Sequence, residues 1–211
     1  MASFDTLLFD LDGTLVDSSA DLATAVNCLR LELELPPLPL ATVRGYVGDG
    51  ARLLVTRALP EFSEPHLQRF LQLYHRHLLD QTLPYPGIRE FLQRRRHQRL
   101  AVVTNKPLQL SLELLAGLDL LAYFPVVVGG DSCREKKPHP APLQLALQRL
   151  GSHPERAVMI GDHHTDLHAG RAAGVQSCFC QWGIGHDGGL ASDFRAASPT
   201  DLDLLFPPEQ G

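Results

Sequence analysis

Thr6-Leu7-Leu8-Phe9-Asp10-Leu11-Asp12-Gly13-Thr14-Leu15-Val16-Asp17 begins as a short apolar run and breaks into carboxylates and a glycine. A continuous, non-alternating run such as Thr6 to Phe9 predicts a strand covered on both faces, as in a parallel sheet. Side chains two apart on a strand point to the same side, so Asp10 and Asp12 converge where the strand leaves the sheet. Ligands of open α/β sheets bind outside those carboxyl ends. Two neighbouring carboxylates repel and invite a cation, and an oxygen-rich site without soft ligands suits Mg²⁺.

Four further runs read the same way: Leu100 to Thr104, Val126 to Gly129, Ala157 to Gly161 and Val175 to Cys180. Helical patterns lie between the later runs; Leu143, Ala146, Leu147 and Leu150 fall at i, i+3, i+4, i+7. Alternating strands and helices predict an α/β, doubly wound parallel sheet. The interval between the first two strands is different, because about ninety residues pass without a convincing strand. It carries one apolar stripe at Leu22, Ala25, Val26, Leu29 and Leu33, and another at Leu67, Phe70, Leu71, Tyr74 and Leu78. These predict a small helical insertion over residues 17–83, punctuated by Pro36, Pro37 and Pro39 and closed by Pro84-Tyr85-Pro86-Gly87. The core then comprises residues 1–16 and 84–211.

Composition narrows the function classes. The chain has 211 residues, 44% hydrophobic and 20% charged, which fits a globular protein and excludes disorder, collagen-like repeats and a disulfide scaffold. A formal charge of −5 offers no field for nucleic acid or an anionic membrane. Cys28, Cys133, Cys178 and Cys180 show no C-x-x-C spacing, as suits a reducing compartment. Met1 to Phe9 has no basic leader pattern, and no apolar run approaches the roughly 20 residues of a membrane span, so a soluble, cytoplasmic protein is expected. The run Arg94-Arg95-Arg96 reads as a solvated helix face.

Each later strand ends in groups that a phosphate needs. Thr104-Asn105-Lys106 follows the second run, Lys137-Pro138 the third, and Gly161-Asp162 the fourth, with Asp166 four residues on. In this order the motifs resemble the haloacid dehalogenase superfamily, in its phosphatase branch, over nearly the whole chain. The resemblance implies a Rossmann-like core with an inserted α-helical cap, Mg²⁺ as cofactor and a small phosphate ester as substrate. It implies Asp10 as nucleophile forming an aspartyl-phosphate and Asp12 as general acid and base. Thr104 and Asn105 would hold the phosphate, and Lys137 would offset its charge. Asp10, the Asp12 carbonyl and Asp162 would ligate the metal, supported by Asp166. An acid at position 12 separates phosphohydrolases from the dehalogenases and ion-pumping ATPases of the superfamily. His163 departs from the pattern, which usually has a small hydroxylated residue there. His164 and His168, at i, i+4, could bind zinc, although exposed imidazoles at a helix start are the expected reading.

The segment Arg44-Gly45-Tyr46-Val47-Gly48-Asp49-Gly50-Ala51-Arg52 resembles the phosphoglycolate phosphatase subgroup, as do Thr104-Asn105-Lys106-Pro107 and Trp182-Gly183. A carboxylate-bearing ester should meet a cap cation, with Arg52 the first candidate and Arg44 the second. Gly48 and Gly50 would let the loop approach a small ligand. Alternatives are a phosphatase for a sugar phosphate, such as a muramic-type one, or for pyrophosphate, and more distantly a noncatalytic phosphate-sensing or receiver-type module. Hinges are expected near Asp17 to Ser19 and near Leu83 to Gly87, and the glycines of Trp182 to Gly189 suggest a mobile stretch. Monomer and homodimer are both compatible with this reading.

Overall fold

The computed structural model describes residues 4–207, so the ends of the expected core, 1–3 and 208–211, lie outside the described residues. In chain order, β1 (Thr6–Phe9) and a two-residue β2 (Val16–Asp17) precede four helices, α1 (Ser19–Glu32), α2 (Leu40–Arg44), α3 (Ala51–Ala58) and α4 (Glu64–Arg76). Then come β3 (Leu83–Pro84), α5 (Ile88–Arg94), β4 (Arg99–Val103), α6 (Leu108–Gly117), β5 (Val126–Val128) and α7 (Ala141–Leu150). The chain continues through β6 (Ala157–Gly161), α8 (His164–Ala173), β7 (Gln176–Cys180), β8 (Phe194–Ala196) and α9 (Asp201–Leu205).

Six strands form one parallel sheet in the order β5-β4-β1-β6-β7-β8. Chain direction across the sheet reverses at β1, so the crevice expected of a doubly wound sheet opens beyond Phe9. The period-2 alternation divides the strand side chains between two layers. Leu8, Ala101, Val103, Val128 and Met159 pack with Leu143, Ala146 and Leu147 of α7 and Ala169 of α8. Leu7, Phe9, Leu100, Val102 and Ile160 face the other way, with Phe91 and Leu92 of α5 and Leu114 of α6. Both layers are buried, which explains why the strands are mostly apolar, with polar residues such as Arg99 and Gln176 confined to their starts and to the edge strand β8.

The connections to α1–α4 are paired rather than loose. Val16 and Asp17 of β2 lie antiparallel to Pro84 and Leu83 of β3, and Tyr85 N donates to Leu15 O at 3.0 Å. The far side is closed by Asp21, fully buried, whose carboxylate accepts from Gln81 N, Thr82 N and Thr82 Oγ1 at 2.7–3.0 Å. The expected stripes are buried on α1 and α4 except that Leu33, just past the end of α1, is exposed and Leu71 of α4 is only partly buried; Leu78, also buried, lies just past α4. Arg95 corrects the solvated-face reading of the arginine run: only Arg94 and Arg96 are exposed. Arg95 is 1% exposed, donates to Phe206 O and stacks on the Phe91 ring at 4.7 Å, anchoring the segment after α9. Among the described residues, no helix is long and apolar enough to cross a membrane.

Candidate active site

β1 delivers Asp10 to the sheet edge, with its amide held by Ile160 O of β6 at 2.9 Å. A turn follows at once, because Leu11 O accepts from the amides of Leu15 and Val16 at 3.0 and 3.1 Å. Gly13 makes this possible: its φ is +86°, and a Cβ there would lie 2.1 Å from Asp162 Oδ2. The loops after β4, β5 and β6 bring Thr104, Lys137 and Asp162 to the same edge, all buried. Thr104 stands just past the end of β4 and is pinned through its amide to Val128 O at 2.9 Å.

Asp10, Asp162 and Asp166 each offer a carboxylate oxygen within 4.8 Å of the others, and all three are buried. One ammonium stands among them. Lys137 Nζ lies 2.6 Å from Asp166 Oδ1 and 3.0 Å from Asp10 Oδ1, and donates to Val103 O at 2.6 Å. Burial alone would lower the Lys137 pKa, but Asp10 and Asp166 outweigh it and hold the group protonated. The carboxylates go the other way. Burial pushes Asp10 up to about 6, against the pull of Lys137, and pushes Asp162 up to about 8, reinforced by the charges of Asp10 and Asp166.

Asp162 is fixed by Thr14 Oγ1 at 3.0 Å and by the amides of Ile184 and Gly185 at 2.9 and 2.8 Å. Asp166 accepts from His163 N through its second oxygen at 3.0 Å, so both its oxygens have protein donors. That suits a supporting carboxylate. Asp10 Oδ1, by contrast, makes no well-angled hydrogen bond despite its burial. Three buried carboxylates against one ammonium, all hard oxygen donors, fit a divalent cation such as Mg²⁺.

The Asp12 carboxylate stands apart from this trio. It accepts from Ser18 Oγ at 2.5 Å and from Lys106 Nζ at 3.0 and 3.1 Å. Lys106 is buried, donates to the Tyr74 hydroxyl of α4 at 2.5 Å, and stays protonated because Asp12 outweighs the effect of burial. Asp10, Asp12, Thr104, Asn105, Lys106, Tyr74, Gly48 and Gly50 all line one pocket with about 40 Å³ of open space between the sheet edge and α3–α4. That space holds only a few water-sized groups.

The helical segment closes on the core through the loop that contains Gly48 and Gly50. Asn105 Nδ2 donates to Gly48 O at 3.0 Å and to Lys137 O at 2.9 Å, and Lys136 Nζ donates to Asp49 O. Both glycines have positive φ, +114° and +90°. A Cβ on Gly48 would meet the His163 ring at 2.7 Å, and one on Gly50 would meet Lys136 Nζ at 2.9 Å.

Neither arginine expected to face the substrate lines this pocket. Arg52 pairs with Glu64 Oε2 at 2.7 Å and lies over the Phe62 ring on the outer surface of α3. Arg44 pairs with Asp17 Oδ2 at 2.7 Å and Ser19 Oγ at 3.0 Å beside the β2–β3 ribbon. The pocket cation is Lys106, which the sequence reading quoted in a motif without giving it a role. Tyr74, read as an apolar stripe position, supplies its hydroxyl to the same pocket. The glycine-rich stretch after β7 also has a definite place. Trp182 Nε1 donates to Thr14 O at 3.1 Å, and a Cβ on Gly183 would stand 2.3 Å from Asp162 Cβ. Trp182-Gly183 was the available signal, but nothing local in it shows that the next two amides grip Asp162.

The chain is similar to several known proteins. A phosphoglycolate phosphatase of Aquifex aeolicus (strain VF5) is 38% identical over 203 residues, covering 95% of each chain. One of Chromobacterium violaceum is 41% identical over 209 residues, covering 93% of this chain and 94% of its own. The crystal structure of a predicted phosphoglycolate phosphatase from Haemophilus somnus 129pt superposes with a TM-score of 0.88 at 29% identity, over 97% of this chain and 99% of that one. The family model of the haloacid dehalogenase-like hydrolases matches residues 7–180, which run from β1 to the end of β7 and include every residue of the carboxylate cluster. The chain therefore belongs to the haloacid dehalogenase-like hydrolase family, and it is a phosphatase, a phosphoric monoester hydrolase.

Proposed function

We propose that the chain hydrolyses a small carboxylate-bearing phosphomonoester, 2-phosphoglycolate first among them, through a phosphorylated Asp10 and with Mg²⁺. Residues 17–83 would act as the cap. The observation that carries this reading is the buried pair of cations on either side of Asp10 and Asp12: Lys137 among the carboxylates, Lys106 in the pocket.

In the first step an Asp10 carboxylate oxygen attacks phosphorus, the ester P–O bond breaks, and Asp12 gives a proton to the departing alkoxide. In the second step Asp12 takes a proton from water as its oxygen attacks phosphorus, the Asp10 acyl-phosphate P–O bond breaks, and inorganic phosphate leaves. Thr104 and the Asn105 amide hold the non-bridging oxygens, and Lys137 neutralises charge that grows as the nucleophile and phosphoryl group approach. Asp10 and Asp162, with the Asp12 carbonyl, would hold Mg²⁺, which supplies charge neutralisation at the phosphoryl oxygens.

Lys106 supplies the substrate preference. A substrate carboxylate reaching Lys106 and Tyr74 competes with Asp12 for the ammonium, which releases Asp12 for proton transfer. Both relatives compared above bear the corresponding name, which supports a small carboxylate-bearing ester. The test is a Mg²⁺-dependent phosphate-release panel on wild type, Asp10→Asn and Lys106→Met. Phosphoglycolate should rank first, Asp10→Asn should be inactive, and Lys106→Met should lose about 10²-fold more kcat/KM on phosphoglycolate than on p-nitrophenyl phosphate. A sugar phosphate or pyrophosphate ranking far above phosphoglycolate would refute the substrate assignment.

A further inference from the structure

Outside the carboxylate cluster, a second group of metal-ligating side chains gathers at the pocket's rim. His163, His164 and His186 each place a ring nitrogen within 4.8 Å of the others. Their ring centroids are 4.1, 5.1 and 5.2 Å apart. His168, the expected partner of His164, is not part of this group and stands 6.3 Å from His164, edge-on. The third imidazole comes instead from the glycine-rich loop twenty-two residues further along, tied back by His164 N donating to His186 O at 2.8 Å.

Several features favour a bound ion over three crowded rings. His163 Nδ1 is engaged by Thr165 Oγ1 at 3.1 Å, which orients the ring as an outer partner does for a metal-binding histidine. His163 and His164 head α8 and are positioned by the helix, while the His186 side chain is exposed and its ring can turn toward metal–nitrogen distances of about 2.0–2.1 Å. The Asp49 carboxylate acts electrostatically on both His163 and His164, and is itself held at 2.6 Å by Arg57 of α3.

We propose that His163, His164 and His186 form a second metal site, for a borderline imidazole-seeking ion of the Zn²⁺ class, distinct from the carboxylate cluster. Imidazole donors select such ions, whereas Mg²⁺ seeks oxygen. Because the His163 ring packs on Gly48, an ion held there fastens the Gly48–Asp49 loop against the core and slows pocket opening.

The experiment titrates the purified protein with Zn²⁺ against a chromophoric chelator in excess Mg²⁺, and repeats it with His164→Ala, His186→Ala and Asp10→Asn. The expected result is one tightly held Zn²⁺ per chain, weakened at least about tenfold by each histidine substitution and unaffected by Asp10→Asn. His186 is exposed, so its replacement leaves the fold and the Mg²⁺-dependent turnover intact; Zn²⁺ should slow phosphate release in the wild type and not in His186→Ala. Zinc uptake that ignores both histidine substitutions, or that disappears with Asp10→Asn, would overturn the site. Unchanged wild-type turnover with zinc bound would overturn the loop-fastening consequence.

Discussion

Replacing Lys137 by Met removes the one ammonium among three buried carboxylates while keeping the side chain's length. Lys137 is 1% exposed and contacts Asp166 at 2.6 Å and Asp10 at 3.0 Å. At an effective dielectric of about 20, Coulomb attraction is about 5.5–6.5 kcal/mol for each contact. Desolvation offsets most of it, and deleting one partner of a buried pair costs about 3–5 kcal/mol net. For a chain of this size, each kcal/mol moves the melting temperature by about 2–4 °C, so Lys137→Met should melt about 6–20 °C lower without added metal. The companion variant Lys137→Met with Asp166→Asn removes one stranded carboxylate and should recover about 1–3 kcal/mol of the loss. Thermal and denaturant melts of the four proteins in this double-mutant cycle measure the coupling. If Lys137→Met lies within about 1 kcal/mol of wild type, or if the two substitutions simply add, Lys137 is not the balancing charge described above.

Other expectations follow from the same geometry. Gly13→Ala forces a Cβ onto a φ of +86° and against Asp162 Oδ2; it should cost about 1–2 kcal/mol in backbone strain and nearly abolish phosphate release, and a fully active variant would show that Asp162 tolerates displacement. Mg²⁺ binds the folded chain alone, so a concentration of about 100 Kd should add about 2.7 kcal/mol and raise the melting temperature by about 5–10 °C; EDTA should reverse this, and a flat response would contradict the fit of the carboxylates to a dication. Burial pushes the Cys178 thiol up to about 12 and Cys180 well above its usual value, whereas Cys28 and Cys133 are partly exposed. Thiol titration of the folded protein should therefore count two reactive cysteines, with the other two appearing only on unfolding.

The parallel sheet was legible because strands covered on both faces are mostly continuous apolar runs between their turns, and five of its six strands show such a run. β8, Phe194-Arg195-Ala196, escaped because its three residues are broken by an arginine and form no apolar run, whereas the equally short edge strand β5 is valine throughout. The β2–β3 ribbon escaped for the same reason, with only Val16-Asp17 and Leu83-Pro84 to announce it. Asp10, Asp12, Thr104 and Asp162 were legible because each lies within three residues of a strand end, so local spacing already places them at one edge; Lys137 stands nine residues past β5, in the loop to α7. Arg52 and Arg44 show where spacing stops being informative. Both lie on short helices of the inserted segment, and whether such a side chain faces the pocket or a neighbour depends on tertiary contacts with Glu64 and Asp17 that spacing does not encode. Lys106 and Tyr74 meet across 32 positions of sequence, and His164 and His186 across 22; neither juxtaposition has a local signature.

The proposed hydrolysis turns on covalent chemistry at Asp10, and chemical trapping tests that step directly. The enzyme is mixed with phosphoglycolate and Mg²⁺, quenched in acid during turnover, reduced with borohydride and digested, and the peptide containing Asp10 is examined by mass spectrometry. An acyl-phosphate at Asp10 is reduced to homoserine, so homoserine should appear at position 10 in the wild type and at no position in Asp10→Asn. Full turnover with an unmodified Asp10, or homoserine at another aspartate such as Asp12 or Asp162, would contradict the assignment.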